Sequence, residues 1–141
     1  MSIVLNGTAG TISKGDGSAI GGKAIQIVQT QKLDDFSSTS ASYVTLMTAA
    51  ITPSATSSKI LVSCSLPLVN NDDVNHLYCQ LYRDSSAIAT ADTLGNNTPA
   101  TFVIAQTGVG TQTPQTFQWL DSPSSTSEID YYVKGKGSNT N

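Results

Sequence analysis

Charge is scarce in this 141-residue sequence, and the scarcity argues against one broad class of function. Only 12% of the residues are charged, whereas an ordinary domain has about 25%. Seven Lys and Arg residues stand against ten Asp and Glu, so the net charge is −3. A nucleic-acid-binding protein needs clustered basic residues that release counterions from phosphates. We therefore expect no nucleic-acid partner.

Long apolar runs are also missing. No run approaches the roughly 20 residues that cross a bilayer, and the N-terminus lacks the basic and apolar regions of a signal peptide. The sequence therefore predicts a soluble protein with no membrane insertion and no export signal.

Residues that carry chemistry are few. His76 is the single histidine, and Cys64 and Cys79 are the only cysteines. These are too few for a multi-histidine metal site, a four-ligand zinc site or a disulfide framework. Residues 17–23 fit the G-x-x-x-x-G-K pattern of a phosphate-binding loop, but Ala24 stands where the magnesium-binding Ser or Thr belongs. The sequence predicts no enzyme, with no catalytic, cofactor or metal residues, and the two cysteines are interpreted as small core residues.

What the chain has in abundance favours β-structure. Nineteen Ser and eighteen Thr residues occur, whereas Glu occurs once, at Glu128. Helix formers are therefore scarce and strand formers plentiful. A hydrophobic content of 38% with a small net charge argues against disorder. We expect a folded, all-β domain.

Alternation of apolar and polar residues locates the strands. Ile60, Val62 and Cys64 share one face of a segment whose other face carries Ser63 and Ser65, which is the period of a half-buried strand. Turn-forming clusters separate eight such segments. They are 25–31, 43–51, 58–66, 76–83, 86–91, 101–107, 115–120 and 129–134. The pattern predicts an antiparallel β-sandwich of about eight strands over residues 24–141.

Residues 1–23 differ in composition from the rest. The apolar run that begins them is followed by six glycines, at positions 7, 10, 15, 17, 21 and 22. Glycine at this density cannot hold a compact core. We expect an extended Gly-rich arm that attaches the sandwich to other proteins, with Ile3, Val4, Leu5 and Asn6 as candidate attachment residues.

Two predicted strands are apolar on both faces. One contains Tyr43, Val44, Leu46 and Met47, and the other contains the run 102–104. A small sandwich has one inner face per sheet. Such strands are covered either by a connecting segment or by another subunit, and the low surface charge favours a subunit.

Several short segments resemble a known family. The most specific is Ile51-Thr52-Pro53 followed by Thr56-Ser57-Ser58-Lys59-Ile60-Leu61-Val62. The others lie within residues 22–134: Gly22-Lys23 before Ile27-Val28-Gln29, Phe36-Ser37-Ser38-Thr39 before Tyr43, Leu81-Tyr82-Arg83-Asp84-Ser85, Leu120-Asp121-Ser122-Pro123, and Tyr131-Tyr132. Together they resemble small β-domains of tail-fibre and other virion structural proteins of marine and cyanobacterial phages.

The resemblance implies a jelly-roll-like sandwich that works as a homotrimer in a virion, without catalysis. It implies a tail-fibre or head-fibre/decoration subunit, assembled in the host cytoplasm and joined to other virion proteins through the N-terminal arm. Members of the family usually continue through one more strand, whereas this sequence ends at Asn141. We expect a neighbouring arm to supply the missing strand by β-augmentation.

Two polar loops are candidate receptor-facing sites. They contain Asn70, Asn71, Asp72, Asp73 and Asn75, and Asn96 and Asn97, and their expected partner is a host surface glycan. The first loop is rich enough in oxygen atoms to hold Ca²⁺ as a minority interpretation.

Two other classes of function stay open. One is a monomeric carbohydrate-binding module, which needs an exposed aromatic platform such as Trp119, Tyr78 or Tyr82. The other is an appendage depolymerase, for which the sequence offers no evident set of acids.

Overall fold

The described residues form β-strands and the segments that connect them. The computed structural model describes residues 3–6, 11–14, 26–34, 36–69, 76–90, 98–104 and 112–137, and none of these lies in a helix. Its strands are β1 (Ile3–Asn6), β2 (Thr11–Lys14), β3 (Val44–Ile51), β4 (Ile60–Val69), β5 (Leu77–Arg83), β6 (Ser86–Ile88), β7 (Phe102–Ile104), β8 (Gln112–Asp121) and β9 (Ile129–Gly137). All pairings between the described strands are antiparallel, which confirms the predicted fold class.

Five strands form the large sheet. Its order is β3-β9-β5-β6, and β7 also pairs with β5. β6 pairs with the end of β5, where Leu81 lies opposite Ile88, and β7 pairs with its beginning, where Cys79 lies opposite Phe102. β6 and β7 therefore share one edge of β5, while β9 occupies the other.

The small sheet consists of β4 and β8, which pair from Ile60 opposite Asp121 to Val69 opposite Gln112. Burial alternates along β4 as the sequence predicted. Its inner residues pack on the large sheet around a buried cluster of Ile60, Leu81, Ile129, Tyr131 and Val133. Two sheets packed through their apolar faces make a β-sandwich.

A bulge explains the apolar residues on both faces of β3. The pairing with β9 shifts by one residue between Thr45 and Met47, so two residues of β3 occupy the space of one. Leu46 and Met47 both pack against the buried cluster. Two consecutive apolar residues of β3 therefore pack against the same core. A strict alternation of inward and outward side chains does not predict this.

One predicted strand was wrong. Residues 26–31 of the predicted strand 25–31 are described, and they form no strand. Apolar spacing marks a segment able to pair, but a strand also needs a free backbone edge beside it. The other seven predicted positions each hold a strand. The total of eight strands and the jelly-roll connectivity stay predictions.

Within residues 1–23 the structure has a hairpin. β1 and β2 pair from Ile3 opposite Lys14 to Asn6 opposite Thr11. Part of the predicted arm is therefore paired with itself. Its role in attachment stays a prediction.

Candidate functional site

An apolar pair lies uncovered on the outer face of the small sheet. Leu61 and Leu120 are directly opposite each other, and each is 60% exposed. The next pair, Val62 and Trp119, faces inward, but Trp119 is still 42% exposed. Trp119 lies on β8, a strand at the margin of the sandwich. Both faces of β8 therefore expose large apolar side chains near its C-terminal end.

Among the described residues, the two strands of the small sheet pair only with each other. Within that part of the chain, the far side of each strand therefore has a row of backbone N–H and C=O groups with no neighbouring strand. Such an edge is a template for pairing with another strand.

Residues 26–34, which lie between the N-terminal hairpin and β3, are exposed and include apolar side chains. We call residues 26–34 the linker. Ile27 and Leu33 are 86% and 84% exposed. Residues 28–30 border a cleft of about 160 Å³ whose lining includes residues 47–49 of β3 and 62–64 of β4. The linker thus lies along the side where β3 and β4 leave the sandwich open.

β8 lies on the opposite side of the sandwich. The ring of Phe117 on β8 packs against Phe102 on β7, with 5.7 Å between centroids. Asp121, the last residue of β8, pairs with Arg83 at the end of β5. β8 therefore covers the β5–β7 side of the large sheet, away from the linker.

A buried polar network joins the two sheets. Both carboxylate oxygens of Asp121 accept hydrogen bonds from Nη1 of Arg83, each at 3.0 Å, and Oδ2 also accepts one from the Tyr131 hydroxyl at 2.6 Å. Burial and this hydrogen bond raise the pKa of Tyr131. The carboxylate is paired and hydrogen-bonded, as a buried charge requires. The network has the properties of a structural clamp between the sheets.

Tyrosine and lysine side chains alternate on the outer face of the large sheet. Nζ of Lys134 lies 4.2 Å from the ring centroid of Tyr82 and 5.0 Å from that of Tyr132. Nζ of Lys136 lies 5.0 Å from the ring of Tyr43 and 5.9 Å from that of Tyr78. Cation–π contacts of this kind contribute about 0.5–1 kcal/mol each at exposed sites. The side chains of Lys134 and Lys136 therefore contact the same tyrosine rings on which a sugar would have to stack.

Both cysteines are free. Cys79 is buried and Cys64 is half-buried. Burial raises the pKa of Cys64 to about 11 and that of Cys79 to about 12. A thiol reacts through its thiolate, so neither side chain is prepared for chemistry at neutral pH.

The predicted receptor loops lie outside the described residues. This holds for Asn70, Asn71, Asp72, Asp73 and Asn75, and for Asn96 and Asn97. The candidate attachment residues Ile3, Val4, Leu5 and Asn6 are the whole of β1. Exposed His76 precedes β5, with its ring centroid 6.2 Å from that of Tyr78.

Sequence reasoning did not single out Leu61 and Leu120. The signal was available, because Ile60-Leu61-Val62 and Trp119-Leu120 each place apolar residues on both faces of a strand. Only the pairing of β4 with β8 shows that the two leucines meet.

Among the described residues, no group of three or more His, Cys, Asp or Glu side chains is arranged to hold a metal ion. The same residues include no helix long and apolar enough to span a membrane. No protein-family model, curated protein or solved structure matches the chain.

Proposed function

We propose that this protein is a bacteriophage virion structural protein, a homotrimeric tail-fibre or head-fibre/decoration subunit that works without catalysis. The observation that carries the proposal is the uncovered Leu61–Leu120 pair beside the open edge of β8. The resemblance of residues 22–134 to phage fibre domains supplies the setting.

Burial of apolar surface supports self-association. Covering a leucine side chain stabilises by about 1.5–3 kcal/mol, and each subunit exposes Leu61 and Leu120 on the outer face of the small sheet and Ile27 in the linker. Head-to-tail contacts between these two surfaces close into a ring when the rotation suits. Three copies would then shelter apolar groups that one copy leaves in water.

The N-terminal residues 1–23 are proposed to join the subunit to other virion proteins. The loops 70–75 and 95–98 are proposed to face the host surface and to contact a glycan. Loops of this kind accept sequence change while a sandwich holds their ends. Host attachment would therefore belong to the loops and assembly to the sandwich.

Sedimentation velocity at micromolar concentration tests the assembly. We expect the parent chain to sediment as a trimer and Leu61→Asp to sediment as a monomer, because a carboxylate replaces the apolar contact. Ser86→Asp is the matched control, since it adds the same charge at an exposed position of β6. A parent chain that stays monomeric would refute the proposal.

Electron microscopy of phage particles tests the virion assignment. An antibody against the subunit should label one defined position on the particle. A chain lacking residues 1–22 should still form trimers in solution but should be absent from particles. Labelling equal to background on intact particles would contradict a virion role.

A monomeric carbohydrate-binding module is the second candidate. Trp119 favours it, because an indole that is 42% exposed can stack on a sugar. Titration with cell-surface polysaccharide should then change the Trp119 fluorescence of a monomer. A trimer with unchanged fluorescence would eliminate this candidate.

A further inference from the structure

The linker has the composition of a strand but pairs with no strand that the structure describes. Its residues 26–31 carry two adjacent apolar side chains among glutamines and a threonine. No backbone hydrogen bond joins residues 26–34 to another described residue. Backbone N–H and C=O groups without a partner in their own chain must form hydrogen bonds with water or with another chain.

The geometry points to strand exchange between copies. We infer that residues 26–31 of one subunit pair antiparallel with the free edge of β8 in the next subunit, with Ile27 opposite Leu120 and Val28 opposite Trp119. The inference rests on the proposed homo-oligomer and names its contact.

The side chains match in this register. Leu120 faces outward and Trp119 inward on β8, and neighbouring residues on an added strand also face opposite ways. Placing Ile27 opposite Leu120 therefore places Val28 opposite Trp119. Two apolar rows then run across three strands: Leu61, Leu120 and Ile27 outside, and Val62, Trp119 and Val28 inside.

The polar residues match as well. In the same register Gln29 lies opposite Gln118, and Gln31 lies opposite Thr116. Gln118 and Thr116 are exposed on the outer face of β8. Gln29 and Gln31 would thus continue the polar part of that face, while Ile27 continues its apolar part.

A second copy fits this edge better than the subunit's own linker. Residues 28–30 border β3 and β4 of their own chain, whereas β8 lies on the far side, over β5 and β7. Because the linker and the β8 edge lie on opposite sides of the subunit, the contact is head-to-tail. Each copy supplies one linker to a neighbour and receives one linker at its own β8 edge. A ring of three uses every linker and every β8 edge.

Cysteine cross-linking tests the register. Opposed residues on neighbouring strands have Cβ atoms about 4.5–5.5 Å apart, close to the separation that a disulfide spans. Under mild oxidation the double variant Ile27→Cys/Leu120→Cys should give covalent dimers and trimers on a non-reducing gel. The matched control is Ile27→Cys/Ser65→Cys, because Ser65 is exposed on the same face but on β4. The parent chain, which keeps Cys64 and Cys79, measures the background.

Each result has a definite meaning. Covalent trimers in the double variant but not in the control support the exchange, as does amide exchange at residues 27–31 that is about tenfold slower or more in the trimer than in the Leu61→Asp chain. Cross-linking no greater than the control in a sample that sediments as a trimer overturns the exchange but leaves the proposed function standing. A monomer by sedimentation overturns both. A ladder beyond three chains retains the strand contact and overturns threefold closure.

Discussion

At the scale of single residues, Gly135 is the more closely packed of two glycines on β9. A Cβ at Gly135 would lie 3.1 Å from Cδ1 of Leu46 and 3.7 Å from Sγ of Cys79. We predict that Gly135→Ala lowers the free energy of unfolding by about 1–2 kcal/mol, because the bulged Leu46 must move in a packed core. Urea denaturation followed by circular dichroism measures the change.

Gly137 is the matched control on the same strand. A Cβ there would meet only the backbone oxygen of Ser40, at 4.0 Å. Gly137→Ala keeps the backbone hydrogen bond to that oxygen and restricts the unfolded chain, so we expect a gain of about 0.4–1 kcal/mol. Equal effects of the two substitutions would contradict the close packing at Gly135.

The ion pair of Arg83 and Asp121 tests the clamp between the sheets. We predict that Arg83→Met costs about 2–3 kcal/mol, since it leaves a carboxylate with 10% side-chain exposure without its cation. Lys32→Met should cost less than about 0.5 kcal/mol, because Asp34 in that pair is 72% exposed. A thermal unfolding series of both variants makes the comparison. Similar losses in the two would show that burial of Asp121 has no energetic effect.

At the scale of elements, the β5–β6 turn depends on one aspartate. Asp84 has φ of 50°, its backbone N–H donates to the carbonyl of Asp130, and its Oδ1 accepts from the N–H of Asp130. We predict a loss of about 1–3 kcal/mol for Asp84→Ala, from the left-handed backbone and the lost acceptor together.

Two further substitutions separate the causes at this turn. Asp84→Asn keeps an Oδ1 acceptor and tolerates a left-handed backbone, so its stability should stay within about 0.5 kcal/mol of the parent chain. Asp84→Gly relieves only the backbone and should fall between the other two. If glycine matches asparagine in denaturation experiments, the side-chain hydrogen bond contributes nothing.

The elements also show how far sequence patterns reach. The alternation of Ile60, Val62 and Cys64 locates β4 because a half-buried strand needs one apolar face. The same reasoning was wrong for residues 26–31, because alternation does not say which backbone edge is available. Gln80 illustrates a second limit: its side chain is polar, yet it is only 6% exposed. Its Nε2 donates to the carbonyl of Pro99, a contact that no local pattern contains.

At the scale of the whole molecule, buried hydroxyls and thiols make the stability of the fold depend on pH in the alkaline range. Burial, with smaller contributions from neighbouring tyrosines and Cys79, raises the pKa of Tyr43 to about 12. Burial also raises the pKa of Cys79 to about 12 and that of Tyr131. These groups are neutral when protonated, and the folded state holds their protons more tightly than the unfolded chain. The stabilisation is therefore complete below about pH 9 and declines as the pH rises towards 12.

Urea unfolding at pH 8, 9.5 and 11 measures this decline. We expect the midpoint to fall steadily above pH 9, and to fall less steeply in a Tyr131→Phe chain, which has one such proton fewer. A midpoint that is constant up to pH 11 would contradict the burial of these groups. The candidate site was less predictable than this core, because only the pairing of β4 with β8, which no local sequence pattern specifies, brings Leu61 and Leu120 together.

Under the proposed self-association, the far edge of β8 stays exposed in each newly made chain until a partner strand pairs with it. Until a partner arrives, the strand can recruit any extended polypeptide, including misfolded copies of itself. Under the proposed self-association, we expect slow synthesis at low local concentration to end in insoluble deposits and synthesis at high local concentration to end in closed oligomers. Timing and local abundance, as much as affinity, would then determine the yield of usable subunits.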